Sequence, residues 1–275
     1  MPSEKHFIDT SVMRPIISSS TVVKKYYAES LGSNIYYCSY VRMEFTRGFI
    51  IPAISFYFTL KMPTILSISD ALSLWSNKFQ TRELKAVLSM FSGLLEGHRF
   101  DFNDIKDKEK ASRRVADYIR RILSLVPNKF KDTGVENKLC KKIDLDLDFD
   151  ANDIEKSFKD YLDRFNSKNW KECTLHLFIS KHQSNINTIL EKKDLIIKDS
   201  KSDGFKAIVS ELTSNNYNCT KCKKIGDLII ALISPKDMRM EHTDYSFDYL
   251  MTILDKEHYR HPSELQLLTH NNINS

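Results

Sequence analysis

Glycine and proline are scarce in this chain, with 7 of each among 275 residues. Both residues interrupt helices, and the remaining sequence has long stretches rich in Lys, Glu, Leu and Ile. The composition therefore excludes a loop-rich or collagen-like protein and favours a helix-dominated fold. The five cysteines are an odd number in a chain of this size, so a disulfide framework is not expected either.

The sequence also lacks a long hydrophobic run. The longest, Phe49–Leu60, is interrupted by Pro52 and falls short of the ~20 apolar residues that a membrane helix needs. The first ten residues, MPSEKHFIDT, place charges around a very short apolar core, unlike a secretory signal. We therefore expect a cytoplasmic protein with no membrane partner.

Charge of one sign is not dominant. Lys and Arg number 41 and Asp and Glu 36, which gives a net charge of +5 and a pI near 8.8. This mild basic excess is compatible with a nucleic-acid partner but has little weight alone. The hydrophobic fraction of 41% is enough for a full core, in one large domain or in a small domain with a large insertion.

Apolar patterning predicts strands near both ends of the chain. His6–Ile8 is typical of a short strand that ends at Asp9, and Ile35–Cys38 of a second strand. A helix from Tyr40 to about Ile50 is expected next. Late in the chain, Asp227 precedes an apolar helix, and a short buried strand ends just before Asp244.

Helical periodicity dominates from about Ser67 to Asn169, and Asp194–Ser202 is predicted as a further strand of the main sheet. The predicted organisation has four segments. They are the first half of an α/β core at 1–62, a helical insertion at 63–193, the second half of the core at 194–258, and a flexible tail at 259–275.

Four acids share one context, at the end of a strand or early in a helix that follows one: Asp9, Glu44, Asp227 and Asp244. In a parallel sheet with right-handed crossovers, strand carboxyl ends and the following helix starts lie on one edge. Carboxylates gathered there would repel one another unless they were paired or bound to metal. Mg²⁺ and Mn²⁺ prefer such hard oxygen ligands, so the pattern predicts a divalent-metal site.

At these positions the sequence resembles the PIN-domain nucleases. The matching stretches occur in the family's order: FIDTSV (Phe7–Val12), SYVRMEF (Ser39–Phe45), GDLIIAL (Gly226–Leu232) and HTDYSF (His242–Phe247). The resemblance implies an α/β fold of three layers with a central parallel sheet. In this chain a mostly α-helical insertion would interrupt that fold.

The resemblance also implies an activity. Asp9, Glu44, Asp227 and Asp244 would hold Mg²⁺ or Mn²⁺ and orient a hydrolytic water, as in an endoribonuclease that leaves 5′-phosphates. Substrate binding is assigned to a second set, Thr10, Ser11, Arg42 and Thr243, and Thr10 or Ser11 would also hydrogen-bond within the first motif. RNA is expected ahead of DNA. A toxin or defence effector with a protein regulator, or a homo-oligomer, is compatible with this family.

Two positions depart from the family pattern. His242 stands where the family has a hydroxyl, and Ser246 where it often has a further acid, with Asp248 close by. These departures motivate an alternative function. In it, the PIN-like core is a catalytically degenerate scaffold that binds RNA or protein through the helical insertion.

Purely structural explanations of the same residues are also open. Each acid alone could be a turn, cap or surface-pair residue, and Leu145–Asp150 (LDLDFD) is predicted as a solvated segment rather than a carboxylate cluster. Cys219 and Cys222 form a CxxC, which leaves open a zinc-stabilised helical adaptor. Its remaining ligands would come from Cys173, His176 and His182, although their spacing matches no recognised zinc pattern.

Overall fold

The computed structural model describes ten parts of the chain: 4–18, 21–77, 100–101, 103–134, 139, 150, 153–166, 173–196, 203–214 and 221–263. Its contacts form two compact units. The first contains Met1–Met43, Lys129–Leu145 and Lys168–Ser275, and the second contains Glu44–Asn128 and Asp146–Ser167. The predicted segments 1–62, 63–193, 194–258 and 259–275 stay a prediction of domain organisation.

The first unit is built on a parallel sheet of five short strands. In chain order they are β1 (His6–Ile8), β2 (Ile35–Tyr37), β3 (Lys131–Asp132), β4 (Arg239–His242) and β5 (His258–Arg260). Their order across the sheet is β3-β2-β1-β4-β5, and all four pairings are parallel. The predicted α/β class with a central parallel sheet is therefore confirmed.

Helices make up most of the described chain. They are α1 (Thr10–Ser18), α2 (Thr21–Leu31), α3 (Ser39–Phe45), a π-helical turn (Thr46–Ile50), α4 (Ile51–Leu60), α5 (Ile68–Ser76), α6 (Ile105–Lys129), α7 (Ile154–Asn166), α8 (Leu175–Lys181), α9 (Gln183–Ile196), α10 (Asp203–Thr213), α11 (Gly226–Ile233) and α12 (Tyr245–Ile253). None of them combines the length and apolar composition that crossing a membrane requires.

The core of the first unit surrounds its two central strands. Phe7 and Ile8 of β1 and Met240 of β4 are completely buried. Helix α11 is apolar on nearly every side, so it needs burial all round, and α12 packs against it as well as against α9 and α10. Helix α12 also contacts β5, so it connects α11 to the sheet.

The second unit has its own aromatic core. Trp75 of α5 is fully buried, and its indole N–H donates a 3.1 Å hydrogen bond to the carbonyl of Pro52. Phe56 meets the Trp75 ring edge-on. Pro52 lies in the first turn of α4, where a missing N–H costs little, so the apolar run continues as a helix instead of ending at this proline.

Some sequence predictions of local structure were wrong. The predicted strand at Asp194–Ser202 fails at residues 194–196, which continue helix α9, and residues 197–202 lie outside the described part. Ile186 and Ile189 are buried one turn apart on that helix, so its helical periodicity begins well before Asp194. Helix α1 and strands β3 and β5 were not predicted at all.

Candidate functional site

The carboxyl ends of β1 and β4 lie side by side. Ile8 pairs with Glu241 in the parallel register, and the backbone N–H of Asp9 donates a 3.2 Å hydrogen bond to the Glu241 carbonyl. Asp9 therefore follows β1 at the same edge where the loop after β4 carries Thr243 and Asp244. This is the edge at which open α/β sheets build binding sites.

Ser11 joins these two motifs. Its hydroxyl donates a 2.7 Å hydrogen bond to Asp9 Oδ1 and accepts one of 3.1 Å from the backbone N–H of Thr243. The backbone N–H of Val12 also donates to Asp9 Oδ1, at 3.2 Å. The Asp9 carboxylate is thus fixed from within its own motif, as predicted for Thr10 or Ser11.

A second hydroxyl positions Asp227. Asp227 lies in the first turn of α11, and Ser246, near the start of α12, donates a hydrogen bond to its Oδ2. Asp244 occupies the N-cap position of α12 in an extended conformation, without a side-chain capping bond to that helix. The starts of both helices therefore present an acid at this edge.

The charges of Asp227 and Asp244 act on the pKa of Asp9. Burial raises the pKa of Asp9 well above its usual range, since the residue is only 4% exposed. The negative charges of Asp244 and, more weakly, Asp227 raise the pKa of Asp9 further, against the hydrogen bonds from Ser11. A cation bound among these oxygens would relieve that repulsion, and an all-carboxylate set fits Mg²⁺ or Mn²⁺.

The remaining predicted site residues have simpler surroundings. Glu44 belongs to the second unit, where its carboxylate lies 3.5 Å from Arg47 Nη2. Arg42 is half-buried near the end of α3, and Thr10 is buried at the start of α1, whereas Thr243 is partly exposed in the loop after β4. Their roles in metal or substrate binding stay predictions.

A buried network around Glu241 was missed by sequence reasoning. Glu241 is completely buried on β4 and accepts hydrogen bonds from His6 Nδ1 at 2.7 Å, Arg239 Nε at 2.8 Å and His261 Nε2 at 2.8 Å. Burial alone would raise the pKa of Glu241, but the three hydrogen bonds prevail and lower it. The only indication of this network in the sequence is that the strand-like segment RMEH (Arg239–His242) contains an acid and two basic residues.

On the same strand, His242 belongs to a different group. Its Nε2 lies 3.6 Å from Asp248 Oδ1, and His258 Nε2 lies 3.8 Å from the same oxygen. Burial and then the charge of His258 lower the pKa of His242 to about 3, so its imidazole is neutral at physiological pH. In the sequence, Asp248 is notable only as an acid close to Ser246, where the chain departs from the family pattern.

The predicted zinc and acidic alternatives fall largely outside this region. Cys219 and most of Leu145–Asp150 lie outside the described residues. Cys222 is buried, and its carbonyl accepts a 2.8 Å hydrogen bond from the Tyr40 hydroxyl. A zinc role for the CxxC stays a prediction.

No family model, curated protein or solved structure matches the chain. The resemblance to PIN-domain nucleases therefore rests on the four short motifs described above.

Proposed function

We propose that the protein is a metal-dependent phosphodiester hydrolase, with Asp9, Asp227 and Asp244 as its metal-binding acids. The observations that carry the proposal are the hydrogen bonds of Ser11, which tie Asp9 to the loop after β4, and the charges of Asp244 and Asp227, which both raise the pKa of the buried Asp9. A buried group in such surroundings costs folding free energy, which marks it as a candidate for function. The resemblance to PIN-domain nucleases supports a ribonuclease.

The chain's own residues would pre-organise this site. Ser11 and the Val12 N–H hold one oxygen of Asp9, and Ser246 holds one oxygen of Asp227, so both carboxylates keep fixed orientations. Fixed ligands lower the reorganisation needed when a charged substrate arrives. A bound Mg²⁺ or Mn²⁺ would supply the activation of a water molecule and the polarisation of a phosphoryl oxygen.

RNA is the proposed substrate, ahead of DNA, and the proposed setting is a toxin or defence effector acting in the cytoplasm under a protein regulator. The net charge of +5 favours association with a phosphate backbone. Arg42 is the proposed backbone contact on the same unit as the aspartates. Replacing Arg42 by Gln should weaken RNA binding and make it less sensitive to salt.

The experiment is an RNA cleavage assay in Mn²⁺ with Asp9→Asn and Asp244→Asn. Both variants should lose metal-dependent cleavage while remaining folded by circular dichroism. Asp237→Asn is the matched control, because Asp237 is an exposed acid paired with Lys5 on the surface, and it should retain wild-type cleavage. Undiminished cleavage by folded Asp9→Asn would refute the assignment.

A catalytically degenerate scaffold is the second candidate. The contact between Arg47 and Glu44 favours it, because a guanidinium already neutralises an acid that the resemblance assigns to metal binding. Calorimetry separates the two functions. An active site should bind Mn²⁺ with an affinity that falls in Asp227→Asn, whereas with a degenerate site this substitution should leave the Mn²⁺ titration unchanged.

A further inference from the structure

Three ligand-type residues meet beside the end of β4. His242 comes from β4, Asp248 from the first turn of α12 and His258 from the start of β5, and one ligand atom of each lies within 4.8 Å of the other two. His242 is fully buried, while the side chains of Asp248 and His258 are 28% and 23% exposed. The group is thus closed on one side and open to solvent on the other.

His242 has an unusual environment for a buried polar side chain. Among the described residues, neither of its ring nitrogens has a hydrogen-bond partner of ordinary geometry, and the backbone of Asp244 is the one hydrogen-bonding group that acts on its pKa. A buried donor or acceptor without a partner costs about 1–3 kcal/mol, so native proteins rarely leave one. Its Nε2 nevertheless faces the Asp248 carboxylate.

The distances in the group do not match direct hydrogen bonds. The 3.6 Å and 3.8 Å separations from Asp248 Oδ1 exceed the usual N–H···O range of about 2.7–3.2 Å. Ligands bound tetrahedrally to a zinc ion at about 2.0–2.1 Å lie about 3.3–3.4 Å from one another. The two separations from Asp248 Oδ1 are therefore closer to those between ligands of a shared ion than to those between hydrogen-bond partners, and the two histidines bring ligand nitrogens within 4.8 Å of each other.

Neighbouring groups set the ligand orientations. His258 Nδ1 lies 3.3 Å from the Lys256 carbonyl, which can only accept, so this contact favours the tautomer with the proton on Nδ1. In neutral His258 the lone pair is then on Nε2, the nitrogen that faces Asp248. Arg260 Nη1 binds the other carboxylate oxygen, Oδ2, at 2.6 Å and leaves Oδ1 directed at the histidines. Outer partners of this kind are what orient ligands at metal sites.

We propose that His242 Nε2, Asp248 Oδ1 and His258 Nε2 bind a divalent transition-metal ion, with Zn²⁺ as the preferred ion. Two imidazoles and one carboxylate suit zinc, whereas Mg²⁺ prefers oxygen ligands throughout. Three protein ligands leave a position for water or another small ligand, on the exposed side of Asp248 and His258. The ion would join β4, α12 and β5 behind the loop that carries Asp244.

This site differs in ligands and chemistry from the aspartate cluster, and it does not depend on nuclease activity. The two sites are separable by mutation. Asp9→Asn should leave zinc binding intact, and His258→Gln should leave Mn²⁺ binding to the aspartates intact. Failure of one assignment would therefore leave the other standing.

The test is a calorimetric titration of Zn²⁺ into the metal-stripped full chain. We expect one zinc site in the wild type. Its affinity for zinc should fall by at least about 100-fold in Asp248→Asn and in His258→Gln, since the loss of even an outer partner costs about 10–100-fold in affinity at metal sites. Two controls are expected to bind like the wild type. They are His176→Gln, an exposed histidine on α8, and the double variant Cys219→Ser, Cys222→Ser, which removes the CxxC.

X-ray absorption of the zinc-loaded wild type tests the same site without relying on any variant that must fold. Ligands at about 2.0–2.1 Å, with no sulfur shell near 2.3 Å, support the proposed site. A sulfur shell, an absence of zinc binding, unchanged affinity in both Asp248→Asn and His258→Gln, or loss of zinc in Asp9→Asn would each overturn it.

Discussion

Glu241 and His242 are neighbours on β4, both are completely buried, and their side chains point to opposite faces of the sheet. Glu241 accepts hydrogen bonds from three side chains, whereas neither ring nitrogen of His242 has a hydrogen-bond partner of ordinary geometry among the described residues. Burial alone therefore does not distinguish a structural polar group from a functional one. The distinction lies in whether the protein itself satisfies the buried atoms.

The same contrast separates Glu241 from Asp9. Hydrogen bonds from His261, Arg239 and His6 overcome burial and lower the pKa of Glu241, whereas burial and the charges of two other aspartates raise the pKa of Asp9. Glu241 is a charge that the fold stabilises. At Asp9, burial and two neighbouring charges disfavour the ionised form, which is the pattern expected of a metal ligand before its ion binds.

The largest effect is expected at Glu241, the buried acid whose hydrogen bonds the protein satisfies. Glu241→Gln removes the charge that holds Arg239, His6 and His261, and it should destabilise the protein by about 3–5 kcal/mol, as when one partner of a buried ion pair is lost. Urea denaturation measures this. Glu257→Gln, at an exposed acid close in sequence, is the control and should change stability by less than about 0.5 kcal/mol.

Lys256 extends the comparison to a half-buried ammonium group whose hydrogen bonds the fold satisfies, although burial disfavours its charge. Its Nζ donates to the carbonyls of Ala231 (2.6 Å), Leu232 (3.2 Å) and Ser234 (2.6 Å) at the end of α11. Lys256→Met leaves these helix-terminal carbonyls without their donor and should cost about 2 kcal/mol in urea denaturation at pH 7. A cost near zero would show that water replaces the ammonium without loss.

The pH dependence of Lys256 has a defined sign. Burial, with a smaller effect of Lys236, lowers the pKa of Lys256 from 10.5 to about 8. Between these values the unfolded chain holds a proton that the folded chain has released, so stability rises with pH. The wild type should therefore gain stability relative to Lys256→Met between pH 8 and 10.5.

The smallest effect on stability is expected at Asp9, the buried acid that neighbouring charges repel. Asp9→Asn removes a buried charge that Asp244 and Asp227 repel, and it should stabilise the metal-free protein by about 1 kcal/mol, the usual direction at functional sites. Saturating Mn²⁺ should reverse the order, because only the wild type gains binding free energy. Thermal unfolding with and without Mn²⁺ measures both changes.

Acid titration sharpens the same comparison. A lowered pKa means that Glu241 contributes stability above its usual value of 4.5 and loses it as pH falls through its folded pKa. A raised pKa gives Asp9 the opposite sign, since its penalty disappears as pH falls from above its folded pKa toward 3.8. The advantage of Asp9→Asn over the wild type should therefore shrink in acid. Constant advantage at every pH would contradict the assigned shift.

The fold was predictable where the residue pattern was strong. The strand at His6–Ile8, the second strand from Ile35 and the apolar helix after Asp227 match the structure to within about a residue. Strands β3 and β5 could not be predicted, because Lys131–Asp132 and His258–Arg260 are short and polar and become strands only by pairing with β2 and β4.

The site was predictable in part. The acids after β1, at the start of α11 and after β4 could be placed on one edge, because parallel strands end together. The Ser246 contact with Asp227 and the meeting of His242, Asp248 and His258 were not predictable, since they depend on how α12 packs beside α11 and how β5 pairs with β4. The spacing of these residues along the sequence does not predict those contacts.

The most direct test of the central claim is a crystal of the wild-type chain soaked in Mn²⁺, with anomalous diffraction to locate the ion. The proposal predicts an anomalous peak within about 2.0–2.4 Å of carboxylate oxygens of Asp9, Asp227 and Asp244. No peak at these residues, with well-ordered side chains and millimolar Mn²⁺, would contradict the proposal that this edge of the sheet is a metal site.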